Sequence, residues 1–255
     1  MPGLEISSEY GNIVGLNPYN SVDCVIYGFD KTGLKVLLIE RSFGNLDVEF
    51  DDDLALPGDL CGFDELLDNA AIRILYELTG LKDIFLEQVH TFSNPSRVSK
   101  PKDKIWLNAI REVPEVRVIT TAYMALINLE AYKATPSGFA KKADWHLIEE
   151  IPTLAFDHNE IVDHCIKVLR NKIYREPIGF NLMPKKFSLS MLQNLYERIL
   201  GKKIDKRNFR RKMIGSGFLI QLEEWQSNVA HKPAQLYSFD ENKFESSKIP
   251  FNALN

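Results

Sequence analysis

Three side chains in the first third of this chain have types and spacing that suit chemistry on a charged substrate: Glu65, Arg73 and Glu77. Arg73 and Glu77 stand one helical turn apart, and carboxylates sharing a helix face can hold a divalent cation against a diphosphate. Magnesium, however, demands hard oxygen ligands in near-octahedral array, and one carboxylate with several waters holds it weakly. Positions 66, 70, 74 and 78, spaced i, i+4, read Leu, Ala, Ile and Leu, so that face continues an apolar stripe instead of an acidic one. Upstream, Glu49-Phe50-Asp51-Asp52-Asp53 is acidic, but nothing nearby completes a ligand set and it reads as a solvated turn. No catalytic residue, metal site or cofactor is assigned on these grounds.

The element that must position these residues is a helix of about four turns, with Asp64 as N-cap and Gly80 where a left-handed C-terminal residue is needed. From Leu56-Pro57-Gly58-Asp59 to Gly80-Leu81 the stretch resembles a Nudix box. It keeps Glu65, Arg73, Leu75, Glu77, Gly80 and Leu81, but Asp59 replaces the opening glycine, and Ile74 and Leu78 replace two glutamates that hold metal in active family members. The resemblance implies an α/β fold, a Nudix-like α/β/α sandwich with a mixed sheet, whose box serves as scaffold without hydrolysis.

The remaining bounds agree with a globular chain. Its 255 residues are 45% apolar and 26% charged, with room for one large or two ordinary domains. No run approaches the ~18 apolar residues of a membrane span, so a cytoplasmic protein without a membrane partner is expected. Cys24, Cys61 and Cys165 are odd in number and widely spaced, which fits reduced, buried side chains. Residues 1–20 read as an N-terminal arm. Val22 to Phe29 and Leu34 to Glu40 read as a hairpin around Asp30-Lys31-Thr32-Gly33, and Ile84 to Phe92 and Arg117 to Ile127 as further strands. Residues 93–116, interrupted by Pro95, Pro101 and Pro114, form either a functional loop or a small added element, with Trp106 packing it onto the sheet or closing over a pocket. Asp157-His158-Asn159-Glu160 opens a helix with a capping-box-like arrangement; His158 and His164 lack the spacing of a helical metal pair.

Charge divides the chain. Residues 176–255 hold 13 Lys and Arg against 8 Asp and Glu, a net +5, whereas residues 1–175 hold 18 against 27, a net −9. The Pro- and Gly-punctuated stretch from Glu176 to Pro184 marks the boundary, giving a sensor domain over residues 21–175 and a second domain over 176–255. Ser188 caps a helix from Leu189 to Leu200, and Asp205 caps a second that reads Lys206-Arg207-Asn208-Phe209-Arg210-Arg211-Lys212-Met213-Ile214, with Phe209, Met213 and Ile214 facing inward. Phe218 to Gln221 and Ala234 to Phe239 follow as strands bridged by a polar loop with Lys232. Helix, helix, strand, loop, strand is a winged helix-turn-helix, and its basic second helix suits a DNA major groove.

These residues, with Phe187-Ser188-Leu189 and Lys232 to Tyr237, are similar to the C-terminal domain of the Nudix-related transcriptional regulators, and the likeness spans about residues 20–245. That group includes ADP-ribose-responsive repressors of NAD biosynthesis and sugar-responsive regulators of the arabinose type; the second subgroup is taken as the nearer. The chain is thus expected to be a homodimeric regulator of carbohydrate utilisation that binds double-stranded operator DNA and a small-molecule effector, a sugar or sugar derivative in preference to ADP-ribose. Lys185, Lys186, Ser188, Lys206, Arg207, Asn208, Arg210, Arg211, Lys212 and Lys232 are the expected DNA contacts; Arg41, Asp59, Tyr123, Asp157 and His158 are the expected effector contacts. One rival is an active hydrolase of nucleoside diphosphate derivatives using Glu65 and Glu77; the other is a sensor whose basic domain binds RNA or protein.

Overall fold

A computed structural model describes residues 15–42, 53–174, 176, 178–227, 232–240 and 243. The β-branched and aromatic run after Ser21 forms β1 (Leu16–Asp30), which turns through Lys31 and Thr32 into β2 (Gly33–Arg41). β3 (Leu54–Ala55) and β4 (Gly58–Gly62) lead to α1 (Leu67–Thr79), followed by β5 (Glu87–Phe92), α2 (Pro101–Ile110), β6 (Ile119–Asn128), β7 (Ala140–Leu147) and α3 (His158–Lys172). One sheet runs in the order β3-β2-β1-β6-β5, with β4 also paired to β1 and β7 to β2.

Because β1 lies inside this sheet, Val22 and Cys24 to Tyr27 are entirely buried, with no alternation. Cys24 approaches the Ala71 carbonyl of α1, whereas Tyr27 donates to the Val162 carbonyl of α3 at 3.2 Å. Residues three apart on a strand face opposite ways, so α1 and α3 cover opposite faces and the expected sandwich is formed. The N-terminal arm ends earlier than expected, since the strand begins at Leu16; residues 1–14 lie outside the described set. β7, whose sequence alternates around Lys141, Lys142 and Asp144, was not anticipated. It is an antiparallel partner of β2 from Lys35↔Leu147 to Arg41↔Ala140, and pairing rather than apolar content makes it a strand.

Helix α1 begins two residues later than its sequence suggests. Asp64 sits in a turn and Leu66, 72% exposed, is the N-cap without a side-chain bond, so the apolar stripe comprises Ala70, Ile74 and Leu78 only. The cause is Glu65: its Oε2 accepts the Gly62 N–H at 2.8 Å, tying the chain back before the helix can start. Gly80 closes the helix at φ 68°, as expected. On α1, Arg73 is buried and saturated. Its Nε and Nη2 donate to the two Glu65 oxygens at 2.8 Å each, Nη1 to Glu77 Oε2 at 2.9 Å, and Nη2 also to the Leu60 carbonyl at 3.1 Å.

The chain divides into two compact units. One takes the chain up to Tyr27 with Lys35–Ala125 and Tyr132–Cys165; the other takes Gly28–Leu34, Leu126–Ala131 and everything from Ile166. The division therefore falls within α3 rather than at residue 175. Beyond Ile178 the chain forms α4 (Gly179–Leu182), Leu182 and Met183 are buried, and Asn128 donates to the Met183 carbonyl at 3.2 Å. β8 (Phe187–Ser188), α5 (Leu189–Leu200), α6 (Lys206–Gly215), β9 (Leu219–Trp225) and β10 (Gln235–Phe239) complete the second unit, with a sheet in the order β8-β10-β9. Both caps are formed: Ser188 Oγ accepts from Met191 N at 3.2 Å and Asp205 Oδ1 from Asn208 N at 2.7 Å. Tyr196 and Phe209 meet edge to face at 5.4 Å and lock α5 to α6.

Removing the α1 guanidinium strands Glu65 in the interior, and breaking such a buried pair typically costs about 3–5 kcal/mol. Arg73→Gln is accordingly expected to lower stability by about 3 kcal/mol or more, read as a shifted denaturant midpoint at unchanged slope.

Candidate functional site

The strongest concentration of buried charge in the first unit surrounds Asp23, a carboxylate in the middle of β1. It accepts from Thr120 Oγ1 at 2.7 Å and from Arg97 Nη2 at 3.2 Å, and His158 Nε2 lies 3.3 Å from its other oxygen. His158 is oriented from behind, because Nδ1 accepts the Leu56 N–H at 2.9 Å, which leaves the proton on Nε2 facing Asp23. Arg97 grips Asp157 with two bonds, Nε at 3.0 Å and Nη2 at 2.9 Å. Gly58 stands opposite Asp23 across the β1–β4 pair, where a Cβ would run into the carboxylate. Glycine at that position admits the network. Burial alone would raise the Asp23 carboxyl, but His158, Arg97 and Thr120 outweigh it and hold it far below the usual carboxylate range.

Beside it lies a second ion cluster. Arg41, at the end of β2, donates to Asp53 at 2.6 and 3.0 Å and to Asp103 of α2 at 3.0 Å, while Trp106 and Phe156 flank its guanidinium at 4.6 and 4.8 Å. Asp53 is therefore a buried ion-pair partner, not part of a solvated turn; residues 43–52 lie outside the described set. The 93–116 segment carries a helix, and Trp106 both packs it down and lines the pocket, with Nε1 donating to the Ser42 carbonyl at 2.9 Å. Phe156 takes a left-handed φ of 50°, held by its N–H donating to Asp103 Oδ2 at 2.8 Å, and so turns the chain into Asp157 and His158.

Between the clusters is a narrow cleft lined by residues that include Asp23, Arg41, Asp59, Arg97, Arg111 and His158. Arg41, Asp59 and His158 of the expected effector residues line it, and Asp157 adjoins it through Arg97. Tyr123 does not: its hydroxyl donates to Asp68 of α1, away from the cleft lining. Sequence reasoning missed Asp23, Arg97 and Arg111. Asp23 had a signal, a charge inside a buried strand pattern; the two arginines had none, because only the folded 93–116 segment brings them here. Burial raises Asp59, opposed by Arg111 and Arg73, and burial pulls Arg111 below its usual range, opposed by Asp59. Arg41 Nη1 and Arg111 Nε are buried with no hydrogen-bond partner among the described residues.

The box carboxylates point elsewhere. Both Glu65 oxygens and Glu77 Oε2 are held by Arg73, and Ile74 and Leu78 are buried. A Nudix-type divalent cation does not fit this donor set, and no group of three or more metal-ligating side chains occurs among the described residues.

In the second unit Lys185, Lys206, Arg207, Asn208, Arg211 and Lys232 are exposed, and Lys212 is half-buried. Ser188 is a correction: it is buried and its hydroxyl caps α5, so it has no face toward a duplex. Lys186 is paired with both oxygens of Glu224 at 2.7 Å. Arg210 turns toward α5, with Nη2 3.4 Å from Ser190 Oγ. Ile214 is a further correction, 54% exposed instead of facing inward.

A charged cleft in a Nudix-like domain and a winged helix with a basic second helix fit the class of ligand-responsive DNA-binding regulators. A family model described as the NrtR DNA-binding winged helix domain matches residues 179–239. The chain is 35% identical over 228 residues to the ADPR responsive transcriptional repressor NtrR of Acinetobacter baylyi, covering 88% of this chain and 82% of that one. Shewanella oneidensis NrtR complexed with a 27mer DNA superposes with a TM-score of 0.63 at 26% identity, covering 88% of this chain and 95% of that one. A MutT/nudix family protein from Enterococcus faecalis gives 0.63 at 25%, covering 88% and 87%. The chain belongs to the NrtR-like Nudix-related transcriptional regulators. The A. baylyi relative is named for ADP-ribose, not a sugar, so the expected arabinose-type subgroup and role in carbohydrate utilisation find no support. No helix among the described residues is long and apolar enough to cross a membrane.

Asp23 has a folded-state pKa below its unfolded value of about 3.9, so its contribution is present above that pH and is lost as pH falls toward the folded value. Asp23→Asn should therefore be less stable at pH 7 and show a flatter loss of melting temperature below about pH 4 than the parent.

Proposed function

We propose that this protein is a transcriptional repressor that senses ADP-ribose without hydrolysing it and acts as a cytoplasmic homodimer on operator DNA. The observation that carries the effector is the convergence of Arg41, Arg97 and Arg111 on one cleft, with a buried N–H of Arg41 and of Arg111 unpartnered among the described residues. A diphosphate offers charged acceptors for such donors, and charge-assisted bonds to guanidinium are among the stronger ones; a free pentose offers none. The name of the A. baylyi relative supports the same effector. Binding without turnover is supported by Arg73, which holds both Glu65 oxygens and one Glu77 oxygen. By linkage, an effector that lowers operator affinity is itself bound more weakly by the DNA-bound form, and about 1–3 kcal/mol of coupling is typical. The Lys- and Arg-rich α6, with Lys185 and Lys232, supplies the phosphate contacts.

A hydrolytic reading has one observation in its favour, the buried and unpartnered Oε1 of Glu77. Thermal denaturation with ADP-ribose, ADP, arabinose and glucose separates the readings. ADP-ribose at ~100 times its dissociation constant should add nearly 3 kcal/mol of stability, and Arg111→Gln should weaken it by about tenfold or more. Stabilisation by arabinose alone would sink the effector assignment. Magnesium-dependent turnover of ADP-ribose that disappears in Glu77→Gln would establish a hydrolase instead.

A further inference from the structure

Helix α6 has an inner face defined by Phe209 and Met213, the two residues it buries. At about 100° per residue, Arg211 lies two positions from each and so points directly away from them. Arg207 and Ile214 flank it on one side, Asn208 and Gly215 on the other. Two features of this face have no use inside the unit. Arg211 Nη2 donates to Asn208 Oδ1 at 2.6 Å, so an exposed arginine is held in one orientation by an exposed amide. Gly215 is helical, with no positive φ, and a Cβ there would meet nothing within 4 Å. Glycine is destabilising in a helix relative to alanine, and here neither backbone conformation nor packing requires it. Its missing side chain matters only to a body that approaches α6 from outside.

We infer that Arg211 is the central base-reading residue of α6, that Asn208 is its positioning residue, and that Gly215 lets the helix sit close against the major groove. The occupant is duplex DNA: α6 carries Lys206, Arg207, Arg210, Arg211 and Lys212 and no acidic residue. The base is guanine. Its O6 and N7 take two N–H groups from an arginine, and one bond to Asn208 leaves four of the five guanidinium donors free for them. This rests on the DNA-binding reading above and adds which side chain carries sequence discrimination.

The test uses the full-length protein. Selection from a randomised duplex pool gives the preferred site, and its affinity relative to an unrelated duplex is then measured for the parent and for variants. Arg211→Ala should lower that ratio on the order of tenfold and erase a guanine preference at one position. Asn208→Ala should weaken the preference at the same position, whereas a merely structural Asn208 would lower affinity for all sequences alike. Gly215→Ala should weaken site binding while the melting temperature stays level or rises. Lys206→Ala, a phosphate contact, should weaken both duplexes together and leave the ratio intact. Guanine preference retained in Arg211→Ala, or parental affinity in Gly215→Ala, overturns the inference while leaving DNA binding standing. A parent protein that favours no duplex over another would overturn the DNA-binding reading itself.

Discussion

A carboxylate buried in the central strand constrains the whole first unit. Asp23 cannot remain ionised inside a sheet without partners, and its partners come from three places: Thr120 on the neighbouring strand β6, Arg97 from the 93–116 segment, and His158 from the start of α3. Each partner is held in turn, His158 by the Leu56 amide and Arg97 by Asp157. Charge compensation thereby fixes the 93–116 segment and the head of α3 around one point, and the cleft forms beside it. The Leu-Pro-Gly turn belongs to the same constraint, since only a residue without Cβ fits against Asp23 at position 58.

The α1 network shows the same physics put to a different use. The box carboxylates Glu65 and Glu77 close on the buried Arg73, and the neighbouring positions are filled by Ile74 and Leu78. These charges form a strut joining α1 to the Gly62 amide and to the Leu60 carbonyl. Arg41 repeats the pattern at the end of β2, with Asp53 and Asp103 as partners and two aromatic rings as walls. Arg41 and the Asp23 network both contribute to the lining of the cleft, and their buried ion pairs hold it in a defined shape.

In the second unit the division of labour is by helix face. Phe209 joins α6 to Tyr196 of α5 and Met213 is buried on the same face, so the opposite face is free of packing duties and its composition can answer to an external partner. Caps at Ser188 and Asp205 set where each helix starts, and with it which residues point outward.

Amino-acid order by itself determined what depends on neighbours a few residues away. It specified the hairpin around Asp30, the left-handed end at Gly80, the two winged-helix caps, and the asymmetry of charge between the parts of the chain. Tertiary structure alone decided what depends on distant partners. Glu65 delays α1 because it bonds to Gly62 and Arg73; β7 is a strand because β2 offers it a ladder; Tyr123 is drawn to Asp68 and out of the cleft. Arg97 and Arg111 become site residues only when a proline-interrupted segment folds over the sheet. The physical reason is range: caps and turns are satisfied within one turn of backbone, whereas a buried charge must find its counter-charge wherever the fold brings one, and sequence spacing carries no record of that choice.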